Sequence, residues 1–229
     1  MSAPEGSWPL SLNADTGNGM ARRSFDLAVA LLALVIFSPV MVIIAAAVVL
    51  ESGRPILFRH SRMGVSGKPF GMYKFRKFYP TCDSAGLPLT MSNDSRFTKV
   101  GKFLALTKLD ELPQLWNVIN GDMAIVGPRP ESLEFSECFQ NGFEEVLQYK
   151  PGLVGPSQVF FRNESAYYPD GEDVTSFYRQ VIFPIKAGLD IAYFRRRTLG
   201  SDFLWILCTV LAIVGFVKWV PTLDAKKLD

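Results

Sequence analysis

A long uncharged segment near the N-terminus most constrains what this chain can fold into. No charged residue occurs from Leu27 to Leu50. A helix of that length extends about 36 Å, enough to cross a hydrocarbon core of about 30 Å. We therefore expect the segment to lie in a membrane, and the remainder of the chain to form a domain at the membrane surface.

The pair Ser38-Pro39 at the centre of this segment leaves two topologies open. Proline removes one helical hydrogen bond and clashes with the preceding turn, and an adjacent serine hydroxyl can satisfy the freed carbonyl. Basic residues, which mark the cytoplasmic side, flank the segment on both sides: Arg22, Arg23, Arg54, Arg59, Arg62 and Lys68. The residues fit a helix that breaks at Ser38-Pro39 and returns to the same side, and equally a kinked spanning helix. The opening RRSFDL is similar to an export signal, but the apolar run is too long for one.

A second apolar stretch, Phe203–Val217, is short for a membrane span and has basic residues before and after it. We expect an interfacial helix, with a second span as the alternative. The predicted organisation is a flexible N-terminus (1–21), a membrane helix (22–51), a cytosolic domain (52–200) and an interfacial helix with a tail (201–229).

Composition narrows the chemistry available to the domain. The formal net charge of +2 gives no indication of a nucleic-acid partner. Cys82, Cys138 and Cys208 are scattered, which argues against a disulfide framework or a zinc site, and His60 is the only histidine. Any catalysis must therefore rely mainly on carboxylates, lysines and arginines.

The middle of the chain predicts an α+β domain. PILFRHSRMG and KPFGMYKFRKF read as two strands of a small β-hairpin around a Gly-Val-Ser-Gly turn. NGDMAIVGPRPE predicts a turn, a short strand and a rigid loop, and KPGLVGPSQV predicts a turn-rich connector. Helices are expected over Lys99–Ile119, Ser132–Tyr149, Phe177–Ile182 and Ile185–Arg197, the last two separated by Pro184.

Two adjacent acids stand out in the stretch LTKLDELPQLWNV. Proline is tolerated only in the first turn of a helix, so Pro113 predicts that a helix begins with Asp110 as its N-cap. At that position Asp110 and Glu111 would remain ionised at the positive end of the helix dipole. From spacing alone, a purely structural cap is the simpler interpretation.

Several cations could accompany these acids. Arg129 lies between two prolines in GPRPE, and a guanidinium binds phosphate well. In YKFRKF, strand alternation predicts Lys74 and Arg76 on one face and Lys77 on the other. Arg162 follows a later turn. Ordinary salt bridges would also account for each of them, but the set as a whole suits a metal ion and a phosphorylated substrate.

Four long segments resemble the bacterial sugar transferases, monotopic phosphoglycosyl transferases also called polyprenyl-phosphate hexose-1-phosphate transferases. The resemblance covers roughly 22–209 and lies in RRSFDLAVA with the central SP, GRPILFRHSRMGVSGKPFGMYKFRKF, TKLDELPQLWNVINGDMAIVGPRPE and KPGLVGPSQV. It implies a re-entrant membrane helix broken at Ser38-Pro39. It also implies an α+β domain with helices packed at the cytoplasmic face of the bacterial inner membrane, in the minimal form of the family.

The resemblance further implies a reaction. The family transfers a sugar 1-phosphate from a UDP-sugar to undecaprenyl phosphate and releases UMP, as the first membrane step of exopolysaccharide, lipopolysaccharide or capsule assembly. Asp110 would be the nucleophile that forms a covalent phosphosugar intermediate, and Glu111 would hold Mg²⁺. Arg129 would bind phosphate, while Lys74 and Arg162 would contact nucleotide or phosphate.

One departure from the family pattern bears on the phosphate site. Ala105 stands where many members have an arginine, so we expect Lys108 or Lys102 to supply that charge. Two other functions remain as alternatives: a membrane-bound, metal-dependent diphosphate hydrolase, and a non-catalytic scaffold for polysaccharide assembly. The expected partners are a UDP-sugar, undecaprenyl phosphate and membrane lipid, while the sugar carried and the formation of a homodimer stay open.

Overall fold

In the computed structural model, which describes residues 19–80, 94–169 and 173–213, the uncharged segment forms one helix, α1 (Gly19–Ser52). Every residue of α1 is helical, so the predicted break at Ser38-Pro39 is wrong as an interruption of the helix. The Ser38 hydroxyl donates to the Val35 carbonyl at 2.9 Å. An amide at position 39 would have used the same carbonyl, so the serine replaces the lost donor and the helix continues.

The N-terminal end of α1 is fastened to the domain by two side chains. The Arg23 guanidinium donates to the carbonyls of Val118 and Ile119 at 2.6 Å each. The Asp26 carboxylate accepts a hydrogen bond of 2.9 Å from the amide of Ile125. These contacts tie the start of the apolar helix to polar backbone groups of the domain.

The C-terminal end of α1 is fastened to the same domain. The Glu51 carboxylate accepts hydrogen bonds from the amides of Lys99 and Val100. The buried Arg76 guanidinium donates to the last carbonyls of the helix, including that of Ser52 at 2.9 Å, where the helix dipole favours a cation. Between the two ends, large apolar side chains are exposed: Leu31, Leu32, Val35, Ile36, Phe37, Val40, Val42 and Ile43.

The predicted β-hairpin is confirmed. Strands β1 (Leu57–Met63) and β2 (Pro69–Phe75) pair antiparallel over their full length around a short turn at Val65–Gly67. β2 contacts the turn Leu109–Glu111, so its last residues lie beside the acidic pair Asp110 and Glu111.

A second, parallel sheet joins β3 (Ala124–Val126) to β4 (Gly152–Val154), and α4 (Pro156–Phe160) follows directly. The strand β3 was predicted, but the interpretation of the later segment as a connector is wrong. The backbones of the two segments approach so closely that a Cβ atom on Gly127 or Gly152 would lie about 2 Å from backbone atoms of the other segment. These glycines permit the pairing that anchors the loop after β3.

The remaining helices differ from prediction in three places, and first of all the helix expected over Lys99–Ile119 is divided into two, Lys99–Thr107 and Gln114–Asn120. Two 3₁₀ helices, Leu133–Cys138 and Phe143–Gln148, replace the predicted helix over Ser132–Tyr149, because Asn141 and Gly142 adopt left-handed φ angles of 57° and 99°. Further along, Pro184 does not separate two helices. The helices of this part of the chain are α2 (Lys99–Thr107), α3 (Gln114–Asn120), α5 (Val174–Phe177), a π-helical turn (Tyr178–Ile182), α6 (Phe183–Phe194) and α7 (Leu199–Ile213).

Pro184 lies in the first turn of α6, directly after the π-helical turn, where its missing amide does not interrupt the helix. The apolar helix α7 exposes Phe203, Leu204 and Leu207, as an interfacial helix would. Of the described residues, only α1 forms a helix long and apolar enough to cross a membrane. The predictions for 1–18 and for the end of the second apolar stretch fall outside the described residues.

Candidate active site

The acidic pair lies in a tight turn between α2 and α3. Lys108 ends α2 with a left-handed φ of 62°, and a single 3₁₀ turn, Leu109–Glu111, follows before α3 begins at Gln114. The prediction that Asp110 caps a helix is therefore wrong, and Pro113 is the residue that precedes α3. A non-glycine residue in the left-handed region costs roughly 1–2 kcal/mol, a strain that often accompanies functional sites.

The Asp110 side chain is buried without a hydrogen bond. It is 1% exposed, and neither carboxylate oxygen has a hydrogen-bond partner among the described residues. The Lys77 ammonium lies 3.0 Å from Oδ2, so an ion pair compensates part of the charge. A buried carboxylate is costly unless its charge is offset, so Asp110 depends on Lys77 in this position.

Glu111 is surrounded by cations. Lys74 donates to its Oε1 at 2.9 Å, and the Arg129 guanidinium lies 3.6 Å from the same oxygen. Burial alone would raise the pKa of Glu111, but the charges of Lys74, Arg129 and Lys108 outweigh it and hold the pKa well below its ordinary value. Glu111 is therefore an ionised carboxylate throughout the neutral range.

Two lysines at the site have lowered pKa values. Burial lowers the pKa of Lys74 to about 8, against the opposing effect of Glu111 and Asp110. Burial likewise lowers the pKa of Lys108, which also feels both acids. Lys102 is exposed on α2, so of the two lysines expected to offset Ala105, Lys108 is the one beside the acids.

The other predicted cations divide between two places. Lys77 reaches Asp110 while Arg76 contacts the end of α1, so the predicted alternation, with Lys74 and Arg76 together, is wrong. Its physical reason is that β2 ends at Phe75, and the period of two does not extend beyond the strand. Arg162 lies 3.5 Å from the carbonyl of Leu106 and is not joined by a contact to the acids. The structure thus brings Lys74, Arg129 and the acids together, but not Arg162.

A buried ionic network behind Arg129 escaped the sequence analysis. The Lys186 ammonium donates to Glu131 at 2.7 Å, to Glu164 at 3.1 Å and to the Tyr178 hydroxyl at 2.9 Å. Glu131 follows Arg129 by two residues, so this network supports the loop that carries Arg129. The signal was the presence of Lys186 and Asp190 in the otherwise apolar run FPIKAGLDIAYF, because charged side chains in such a run must find buried partners.

An apolar cavity of about 570 Å³ opens on the other side of the acidic turn, between α1 and the domain. Its wall begins at Pro113 and Trp116, close in the chain to Asp110. Residues of α1 from both sides of Pro39 complete it together with the hairpin: Leu34, Met41, Val42, Ala45, Ile56, Leu57, Tyr73 and Phe75. The site therefore combines a polar, cation-rich side with an apolar side that faces the membrane helix.

Comparison with known proteins identifies the family. The model of the bacterial sugar transferases matches residues 17–215. This chain belongs to the bacterial sugar transferase family. The resemblance inferred from the sequence segments is thereby confirmed.

Three relatives of this sugar transferase illustrate the range of the family. The chain is 34% identical over 204 residues to the UDP-glucose:undecaprenyl-phosphate glucose-1-phosphate transferase of Escherichia coli K12, covering 88% of this chain and 41% of that protein. It is 33% identical over 198 residues to the protein of the same name from Caulobacter vibrioides, covering 85% and 70%. It is 35% identical over 227 residues to the exopolysaccharide production protein ExoY of Rhizobium meliloti, covering 90% and 93%. The chain thus spans less than half of the Escherichia coli relative.

The two acids of this sugar transferase offer a divalent cation a partial set of ligands. The oxygens of Asp110 have no hydrogen bonds, and both ion pairs of Glu111 involve Oε1 rather than Oε2. No group of three His, Cys, Asp or Glu side chains suited to a metal occurs in the described ranges. Mg²⁺ is commonly bound by one or two carboxylates together with phosphate oxygens and water, so two carboxylates fit that ion when a phosphorylated substrate is bound.

Proposed function

We propose that this chain transfers a sugar 1-phosphate from a UDP-sugar to undecaprenyl phosphate and releases UMP. The observation that carries the proposal is the buried Asp110 carboxylate, which has no hydrogen bond and lies beside Lys77 and Glu111. The substrate classes come from the names of the relatives, two of which are glucose-1-phosphate transferases that use undecaprenyl phosphate.

In the first step, a carboxylate oxygen of Asp110 attacks the sugar-bearing phosphorus of the UDP-sugar. The new O–P bond forms as the bond to the bridging oxygen breaks, and UMP leaves with that electron pair. The product is a phosphosugar joined to Asp110 as an acyl phosphate. An ionised carboxylate needs no general base for this attack, which fits a site with no histidine beside the acids.

In the second step, a phosphate oxygen of undecaprenyl phosphate attacks the same phosphorus. The bond to Asp110 breaks, the carboxylate is regenerated, and the sugar is left on undecaprenyl diphosphate. No net proton is required in either step. The apolar cavity lined by Pro113 and Trp116 supports this acceptor, because it offers an environment for a lipid chain close in the sequence to Asp110.

The cations make attack by one anion on another feasible. Arg129 and Lys74 would contact the diphosphate, since both already hold Glu111 and lie along one cleft with Arg62. Glu111 would hold Mg²⁺, which when bound supplies charge neutralisation for the diphosphate and the departing UMP. Lys77, 3.0 Å from Asp110 Oδ2, would offset part of the negative charge that repels the donor phosphates.

The membrane attachment follows from α1. Its exposed apolar middle would be unstable in water, and both of its ends are fastened to one domain. A helix whose two ends contact the same domain places them on the same side of a bilayer. We infer a monotopic association of α1 with the inner membrane of a bacterium, with the catalytic domain on the cytoplasmic face, as the basic residues flanking α1 indicate.

The test separates the two steps. Without acceptor lipid, wild-type protein incubated with UDP-sugar and Mg²⁺ should release about one UMP per active site, and intact-mass analysis should show a phosphosugar adduct on the peptide containing Asp110. Adding undecaprenyl phosphate should then give continuous turnover. Asp110→Asn should lose both signals by at least about 1,000-fold, while Glu134→Gln, which changes an exposed acid, should behave as wild type.

Each contrary result selects a different function. Continuous release of UMP without lipid would identify a diphosphate hydrolase that uses water as its acceptor. Normal turnover by Asp110→Asn would refute the nucleophile. If no common UDP-sugar gave lipid-dependent UMP release, a scaffold would be the better description of the chain.

A further inference from the structure

A second buried carboxylate, Asp190 on α6, takes no part in the chemistry proposed above. It is 4% exposed and packs against the first turn of α4, where Ser157 is fully buried. Asp190 Oδ1 accepts a hydrogen bond from the Ser157 amide at 3.1 Å, and Oδ2 lies 2.8 Å from the Ser157 hydroxyl. The two side chains thus meet through a pair of hydrogen bonds inside the domain.

The next residue, Gln158, connects this pair to the loop of Arg129. Its Nε2 group donates to the carbonyls of Gly127 at 3.1 Å and Gly152 at 3.2 Å. Two carbonyl partners fix the orientation of the amide, because the reverse orientation would bring Oε1 against the carbonyl oxygens of Gly127 and Gly152. Gln158 Oε1 therefore faces the Ser157 hydroxyl, which lies 3.1 Å away.

Counting protons along this chain of groups determines the state of Asp190. Gln158 Oε1 can only accept, so its 3.1 Å contact is a hydrogen bond only if the Ser157 hydroxyl donates to it. That hydroxyl has a single proton, and none remains for Asp190 Oδ2 at 2.8 Å. The short contact is a hydrogen bond only if Asp190 carries a proton and donates it to Ser157. An ionised Asp190 would take the serine proton and leave Gln158 Oε1 facing another oxygen.

The electrostatic surroundings agree with a neutral acid. Burial raises the pKa of Asp190 to about 7, although the hydroxyl and amide of Ser157 act to lower it. Two charged groups act on Asp190: Lys186 lowers its pKa and Glu131 raises it. Since Lys186 and Glu131 are paired with each other at 2.7 Å, their effects on the pKa of Asp190 oppose each other.

We propose that Asp190 is a protonated, neutral carboxylic acid whose proton fixes the loop 127–130 through Ser157 and Gln158. Backbone contacts to β4 also fasten the loop, with Gly127 donating to Val154 and Pro128 accepting from Gly152, and the Lys186–Glu131 pair holds its far end. That this loop positions Arg129 on the donor phosphates rests on the proposed function. Asp190 is then a positioning residue, and its ionisation releases the hydrogen bond that orients Gln158.

Two substitutions separate the proton from the charge. Asp190→Asn keeps both hydrogen bonds, because its oxygen accepts from the Ser157 amide and its NH₂ group donates to the hydroxyl. Its transfer rate at about pH 6 should stay within about twofold of wild type, whereas Asp190→Ala should lose about tenfold to 100-fold through misplacement of Arg129. As the pH rises through about 7, the wild-type rate should fall and the Asn variant should lack that step. A low-pH defect of Asn equal to that of Ala, or the same step in both proteins, would overturn the proposal.

An infrared measurement tests the proton without relying on activity. At about pH 6, the difference spectrum of wild type minus Asp190→Asn should show the C=O stretch of a protonated carboxylic acid, replaced by carboxylate bands above the pKa of about 7. Absence of the acid band would refute the neutral state even if sugar-phosphate transfer is demonstrated. Its presence without transfer activity would instead refute the proposed function and leave the protonation of Asp190 established.

Discussion

Replacing Lys186 with methionine should destabilise the protein strongly. The Lys186 side chain is 5% exposed and pairs with Glu131, 11% exposed, and Glu164, 23% exposed. Methionine retains most of the volume but leaves two acids without their shared cation. Removing one member of a buried ion pair costs about 3–5 kcal/mol, because the remaining charge must be buried alone or neutralised.

The size of the effect on melting follows from the length of the chain. For proteins of this size, 1 kcal/mol shifts the melting temperature by about 2–4 °C, so Lys186→Met should melt about 6–20 °C lower. Thermal unfolding in detergent should be compared at one scan rate, because membrane proteins often unfold irreversibly. Lys68→Met, which changes an exposed lysine in the hairpin turn, is the matched control and should shift melting little.

Acidification and a second substitution test the cause. The ion pair with Lys186 holds the pKa of Glu131 below its ordinary value despite burial, so in wild type this stability is present above that ordinary pKa and is lost only in acid. In Lys186→Met the stranded acids favour protonation, and the deficit should narrow as the pH falls towards about 5. Adding Glu131→Gln should recover part of the loss. A shift below about 2 °C, or a deficit independent of pH, would refute the reasoning.

Three further predictions concern the site and α1. Since burial lowers the pKa of Lys74 to about 8, kcat/KM for the UDP-sugar should fall as the pH rises through that value, because Glu111 then loses a cation. Lys74→Arg should shift this fall to higher pH, since arginine stays charged. If the fall does not shift, another group is titrating. Ala45→Phe, which narrows the apolar cavity, should raise the KM for undecaprenyl phosphate about tenfold and leave the lipid-independent release of UMP unchanged. An equal loss of lipid-dependent turnover and of lipid-independent UMP release would contradict a lipid site. Ser38→Ala should lower the free energy of unfolding by about 1–3 kcal/mol, because the Val35 carbonyl loses its hydrogen bond. Adding Pro39→Ala supplies an amide for that carbonyl and should restore the stability measured by thermal melting. If stability does not recover, the Ser38 hydroxyl does not replace the amide that Pro39 lacks.

The sequence predicted the features that depend on local pattern. Alternating residues around a glycine turn predicted the hairpin, whereas the helix expected to begin with Asp110 as its cap begins only at Gln114, after Pro113. Lys74 and Arg129 were correctly associated with the acids, because phosphate chemistry requires cations near carboxylates.

The errors concern backbone angles and long-range packing. A left-handed Lys108 has no sequence signature, since only glycine and asparagine commonly mark that conformation. The local pattern therefore predicts a helix cap at Asp110, where the structure has a 3₁₀ turn. The strand β4 is three residues long and forms only because β3 lies beside it. Lys77 reaches Asp110 because the chain leaves the strand after Phe75, a change of direction that no local pattern reveals.

The double attachment of α1 also sets where the chemistry takes place relative to the lipid. Because Arg23 and Glu51 anchor its two ends to one domain, the helix cannot slide along its axis, and the depth of its apolar middle fixes the height of Asp110 above the bilayer. On the proposed function, the product stays in the plane of the membrane and reaches the next enzyme by lateral diffusion. The search for that enzyme is then two-dimensional, and its rate depends on lipid mobility and surface density rather than on concentration in the cytoplasm.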